Sequence, residues 1–251
     1  MKTVSISNLK GGVAKTTITH NLAGVLSERG KRVLLVDMDY QGNLTALFEG
    51  DDPSFERANI ARVLFDHLPL SDAIQPTNLK GVAILAADID LALLDSRFAN
   101  DLNAHFLLAE LLDAQTNNFD HVLIDCPPNL LLGTRMALVA SHGYLVPVAA
   151  DRFSLRAAMH VEDVVANIRK RANPKLELLG ILLTRIPTRR KVTEDYIELF
   201  KKQFGDRLLT TQIKETIKFQ EAATAGEPIT TYLPNHEAAE MFRALAQEIR
   251  L

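Results

Sequence analysis

The chain has 251 residues, 47% of them hydrophobic, and a formal net charge of −3. A chain this long buries roughly 70–75% of the surface its unfolded form exposes, so it needs no staples to hold a core. Its one cysteine, Cys126, excludes an internal disulfide and a self-contained iron–sulfur cluster, and it points to a reducing cytoplasm.

No apolar run approaches the ~20 residues that span a bilayer. The first residues enter a strand directly, so neither a signal peptide nor an extra N-terminal DNA-reading domain is expected. The charge is uneven. From Asp37 to Asp125 there are sixteen acidic residues against four basic ones, whereas from Arg185 to Lys218 there are nine basic against five acidic. A locally basic end suggests a surface that faces a polyanion.

In chain order, the first strand is expected at 3–8 and the first helix at 16–29, with Ile18, Leu22, Val25 and Leu26 at helical spacing. Between them stands Lys10-Gly11-Gly12-Val13-Ala14-Lys15-Thr16-Thr17. A strand, a glycine turn and a helix opening on Lys-Thr make a phosphate cradle. Backbone N–H groups point inward, Lys15 reaches the β- and γ-phosphates, and the Thr16 hydroxyl ligates Mg²⁺. The standard pattern has glycine where this chain has Leu9 and Ala14. It also lacks the second lysine, Lys10, which the chain's own nucleotide does not need; one physical reason to keep it is to reach a nucleotide held by a second subunit.

The next strand, 32–37, ends in Asp37-Met38-Asp39. Gly50-Asp51-Asp52-Pro53-Ser54 reads as an exposed loop. A helix at 58–66, a strand at 82–86 and helices at 89–97 and 103–116 lead to a strand at 120–125, which ends at Asp125 before Cys126-Pro127-Pro128. Beyond it the pattern predicts a helix at 131–141, a strand at 143–149, a helix at 154–171, a strand at 177–184, a helix at 192–203, a strand at 207–210 and a helix at 236–249. Runs such as Val33-Leu34-Leu35-Val36 are apolar without alternation, which means burial on both faces. The expectation is a single domain over 1–251, α/β and doubly wound, with a mostly parallel sheet and helices on both faces. Ligands then bind beyond the carboxyl ends of the strands, where the phosphate loop, Asp37, Asp39 and Asp125 all fall. Asp125 is expected to hold Mg²⁺ through a water, and Asp39 to orient the attacking water. Cys126 is read as a small buried residue, and the seven histidines show no metal-ligand spacing.

Three blocks carry a resemblance. Lys10–Thr17 resembles the deviant Walker A motif of the ParA/MinD family of dimerising ATPases. The Arg32–Thr45 block resembles that family's Asp-x-Asp motif, and Asp120–Pro128 resembles its Walker B strand and switch turn. The resemblance covers essentially the whole chain. It departs at Leu9, usually Gln, and at Tyr40, usually Pro, which leaves the turnover rate open. It implies a P-loop NTPase fold, ATP and Mg²⁺ as cofactors, Asp37 near the metal and the phosphate loop, and Asp39 as the residue acting on water. It also implies Lys10 as a lysine acting in trans across an ATP-bound homodimer.

The family members without an N-terminal domain contact DNA through regions that resemble Arg185–Lys191 and Thr211–Lys218. Arg189, Arg190, Lys214 and Lys218 are thus the candidate contacts with non-specific double-stranded DNA, while Arg185 is placed either with them or near the adenine. Such binding is salt-sensitive, because released counterions drive it. The implied role is a cytoplasmic, nucleoid-associated switch that partitions or positions a cargo with a hydrolysis-stimulating adaptor of ParB type. A MinD-like membrane switch is the alternative, but the end of the chain has no basic amphipathic tail, and Ala239, Phe242, Leu245 and Ile249 suit packing on the domain. A metabolic ligase on the same fold needs a second substrate constellation, which the sequence does not display.

Overall fold

The computed structural model describes residues 1–49, 58–186 and 191–251. The loop expected at 50–54 lies outside the described residues, and so do Arg189 and Arg190.

The strands are β1 (Lys2–Ile6), β2 (Val33–Asp37), β3 (Ile74–Pro76), β4 (Val82–Leu85), β5 (His121–Asp125), β6 (Gly143–Ala149), β7 (Glu177–Ile186) and β8 (Leu208–Lys214). Among the described residues they form one sheet in the order β3-β4-β2-β5-β1-β6-β7-β8, with β3–β4 antiparallel and the rest parallel. The doubly wound α/β expectation holds.

Side chains alternate across the inner strands. Leu34, Val36, Val122 and Ile124 enter the core on one face, whereas Val4, Ile6, Val33, Leu35 and Leu123 enter the core on the other. Both faces are buried, which is why these strands read as continuous apolar runs.

The helices that matter for the site are α1 (Lys15–Glu28), α2 (Leu132–Val139), α3 (Arg152–Arg171), α4 (Lys218–Thr224) and α5 (Glu237–Glu248). Helix α1 packs tightly enough to need glycine at one position. A Cβ on Gly24 would lie 2.6 Å from both the Pro228 Cβ and the Thr230 Oγ1. Helix α5 buries Ala239, Phe242 and Leu245, and the following residue Ile249, in the same core as Leu22 and Leu26 of α1.

Some expectations needed correction. The helix expected at 89–97 is a 3-10 turn, Ile89–Leu93, followed by one short helical turn, Leu94–Arg97. Asp88 closes that turn by accepting the Asp90 N–H at 2.9 Å, which favours the tighter winding. The helix expected at 103–116 likewise begins as a 3-10 turn, and its regular part is Leu107–Asp113. Strand β8 runs four residues beyond its expected end at 210, since pairing with β7 carries it to Lys214. The edge strand β3, helix α4 and the helical turn Ile229–Tyr232 were not expected.

Candidate functional site

Parallel register brings the separated motifs together. Asp37 and Asp125 are register neighbours across β2 and β5, and Ile6, the last residue of β1, is Asp125's neighbour on the other side. The loop then wraps the start of α1. Gly12 (φ 72°) and Ala14 (φ 68°) are both left-handed, the geometry that turns successive N–H groups toward one centre. Ala14 thus adopts the backbone that the standard pattern reserves for glycine, at a cost of about 1 kcal/mol or more.

Two buried side chains hold this loop. Asn8 accepts the Lys10 N–H at 3.1 Å and donates to the Pro147 carbonyl at 2.6 Å. Thr184 donates to the Val13 or Val148 carbonyl, both at 3.2 Å. Arg185 lies against the loop as well, donating to the Gly12 carbonyl at 3.0 Å.

A cavity of about 430 Å³ opens over the loop, and its lining includes Gly11, Gly12, Lys15, Thr16, Asp39 and Phe219 of α4. The Thr16 hydroxyl donates to Asp125 Oδ2 at 2.6 Å, while Asp125 Oδ1 is buried with no hydrogen-bond partner. Burial and the neighbouring Asp37 carboxylate push the Asp125 carboxyl well above its usual range, against the Thr16 hydrogen bond and Lys15. Burial lowers the Lys15 ammonium, with Asp125 acting in the opposite direction. A hard cation at this place would satisfy the free Asp125 oxygen and offset the carboxylate crowding. Among the described residues no group of three or more Asp, Glu, His or Cys could hold a metal unaided. One hydroxyl and one carboxylate suit Mg²⁺, which keeps waters and takes phosphate oxygens as further ligands. Bound there beside Lys15, it would neutralise charge on transferring phosphate oxygens.

Asp37, the register neighbour of Asp125, has both its oxygens engaged. Its Oδ1 accepts the Asp39 N–H at 3.1 Å, and its Oδ2 accepts both the N–H and the hydroxyl of Thr45 at 2.9 Å. Burial raises its carboxyl to about 6, with the Thr45 and Asp39 hydrogen bonds pulling the other way. Asp39 lines the cavity, and its Oδ1 accepts the Gln41 N–H at 3.1 Å. Cys126 is fully buried, and burial drives its thiol far up, so it is no nucleophile.

Lys10 does not line this cavity. Its ammonium donates to Asp151 Oδ2 at 2.6 Å and to Ser154 Oγ at 3.3 Å, with the two charged side chains about one-third exposed at 35% and 34%. Asp151 also caps α3 by accepting the Ser154 N–H at 2.8 Å. Burial alone would raise the Asp151 carboxyl, but the Lys10 hydrogen bond and the cap hold it below its ordinary value. The candidate DNA cations within the described residues have acidic neighbours: Lys214 lies 3.9 Å from Glu237, and Lys218 lies 2.8 Å from Glu221.

Sequence reasoning singled out neither Asn8, Thr45 nor Asp151. Asp151 carried a detectable signal, an aspartate just before a helical run.

This fold and this cradle define a P-loop nucleotide-binding protein. The family model for an AAA domain matches residues 1–178. The chain is 34% identical to the sporulation initiation inhibitor protein Soj of Bacillus subtilis, over 99% of this chain and 98% of that one. It is 31% identical to the chromosome partitioning protein ParA of Caulobacter vibrioides, over 99% and 94%. The crystal structure of a cobyrinic acid a,c-diamide synthase from Mycobacterium smegmatis, with an ATP analogue and magnesium bound, superposes with a TM-score of 0.87. That match has 29% identity and covers 98% of this chain and 93% of that one. The chain belongs to the ParA/MinD family of P-loop ATPases.

Proposed function

We propose that this protein is an ATP-driven switch. Mg·ATP joins two copies, hydrolysis parts them, and the joined form binds double-stranded DNA without sequence preference. The observation that carries this reading is the phosphate mouth itself. Lys15, Thr16, Asp39 and a half-satisfied Asp125 converge there, and a second lysine, Lys10, stands beside it on a breakable ion pair.

In this reading Lys15 and the loop N–H groups hold the β- and γ-phosphates, and Thr16 and Asp125 hold Mg²⁺. Asp39 orients the attacking water in line, while Lys10 stabilises the phosphoryl charge of the partner's nucleotide. Arg189, Arg190, Lys214 and Lys218 supply the DNA contacts, doubled in the dimer. A ParB-type adaptor protein on a cargo stimulates hydrolysis, in keeping with relatives named for chromosome partitioning. The setting is the cytoplasm, on the nucleoid. Helix α5 favours this over a membrane switch, because its apolar face is already packed on the core.

One structural neighbour is named as a synthase, so the test must separate a switch from a ligase. Phosphate release from Mg·ATP alone is expected, with loss in Lys15→Ala and a trapped ATP dimer in Asp39→Ala. Turnover only with a co-substrate, or normal turnover in Lys15→Ala, would overturn the reading.

A further inference from the structure

Thr45 is a buried threonine, 3% exposed, whose N–H and hydroxyl make three hydrogen bonds at once. Its N–H and its hydroxyl both donate to Asp37 Oδ2 at 2.9 Å, and its Oγ1 accepts the Ala87 N–H at 2.8 Å. The other oxygen of Asp37 accepts the Asp39 N–H at 3.1 Å. Four groups are therefore strung in one line, from the backbone leaving β4, through Thr45 and Asp37, to the backbone that carries the Asp39 carboxylate.

The loop between Asp39 and Thr45 has no regular structure of its own, and it closes on itself through the Gly42 N–H to the Asp39 carbonyl at 2.8 Å and the Ala46 N–H to the Gly42 carbonyl at 2.8 Å. These bonds fold the loop but do not tie it to the sheet. The Met38 N–H, donating to the Asp125 carbonyl at 3.0 Å, ties the start of the loop, and Asp37 and Thr45 tie the rest. A charge-assisted hydrogen bond inside a water-excluded core is stronger than the same bond in water, and a two-point grip on one carboxylate oxygen fixes direction as well as distance.

We propose that Thr45 is a positioning residue for ATP hydrolysis. It holds Asp37 against the loop so that Asp39 is fixed at the phosphate mouth, and it couples that placement to the end of β4 through Ala87. The proposal rests on the hydrolytic reading above. Threonine suits the role because its single hydroxyl donates to Asp37 while accepting from Ala87, which valine of the same shape cannot do.

The test compares Thr45→Val, Thr45→Ala and Thr45→Ser with the full-length protein, reading Mg·ATP turnover, nucleotide affinity, thermal melting and amide exchange. Thr45→Val and Thr45→Ala are expected to lower kcat at least tenfold while the Kd for ATP stays within about threefold. Thr45→Ser, which keeps the hydroxyl, is expected to retain kcat within about threefold. Amide protection at Asp39 and Gln41 should fall at least tenfold in the hydroxyl-less variants and not in Thr45→Ser.

The proposal is overturned if Thr45→Val turns over ATP like the wild type, or if kcat and ATP affinity fall together. It is overturned also if neither hydroxyl-less variant folds, since Thr45 is then a residue of the fold alone. If the wild type shows no turnover, the hydrolytic reading fails by itself. Amide exchange then still decides whether the tie to Asp39 exists.

Discussion

Replacing Asp151 by asparagine separates two jobs that one carboxylate performs. Asparagine keeps a side-chain oxygen to cap α3 at the Ser154 N–H but removes the negative charge that holds Lys10 at 2.6 Å. A lysine that is to reach a second copy must first leave this carboxylate. Both partners are about one-third exposed, at 35% and 34%, so the pair is screened. Its worth lies near the upper end of the range for surface ion pairs, about 0.5–1 kcal/mol. A symmetric dimer breaks two such pairs, so the substitution should favour association by about 1–2 kcal/mol, or roughly 5–30-fold in the dimer dissociation constant. Sedimentation with Mg·ATP, in an Asp39→Ala background that prevents turnover, measures this directly. Asp151→Ala is the control. It frees Lys10 too but also removes the cap, so its unfolding free energy should fall by what a lost cap costs, about 1 kcal/mol. An Asp151→Asn dimer no tighter than the parent would refute the idea that this ion pair restrains Lys10.

Other expectations concern stability. Gly24→Ala should destabilise by about 1–3 kcal/mol in denaturant melts despite alanine's better helix propensity, because the new methyl lands 2.6 Å from Pro228 and Thr230. A neutral or stabilised variant would mean that this contact yields easily. Ala14→Gly should stabilise by about 0.5–1 kcal/mol by removing left-handed strain, less whatever the freer unfolded chain regains, and an unchanged melt would refute the strain. Two buried groups should tilt the pH profile in opposite directions, measured in EDTA. Asp37 titrates near 6 when folded, so the native state holds more protons and stability falls as pH rises from about 4 to 6. Burial lowers His20 to about 4, so its stabilising effect is complete above about 6.5 and is lost as pH falls toward 4. Each effect is on the order of 3 kcal/mol. Asp37→Asn should therefore steepen the gain in stability from pH 4 to 6, and His20→Gln should flatten it. Parallel profiles for both variants would contradict these assignments.

The inner strands were legible because a sheet covered on both faces demands continuous apolar runs, and β6 falls at its expected bounds of 143–149. The phosphate loop was legible because so few side chains suit that chemistry, and strand order placed Asp37 and Asp125 side by side. The short elements were not legible. Strand β3 has three residues, too few for alternation to register, and α4 opens among the charged residues of a segment first read for its cations. What sequence pattern cannot supply is the partner of each polar atom. Asp37 stands beside Asp125, but its motif does not reveal that Thr45 and Asp39 donate to its oxygens. Lys10 lies on Asp151, 141 residues away in the chain, a partner that its motif does not name. Such pairings depend on loops that meet only after the sheet has formed.

If ATP switches this protein onto DNA, its retention on non-specific double-stranded DNA must depend on the nucleotide, and the assay compares ATP, ADP and no nucleotide at two salt concentrations. Retention is expected with Mg·ATP alone, falling steeply as salt rises, because counterion release from the phosphates drives it. Equal retention in all three states, or none from a protein that dimerises with ATP, would contradict it.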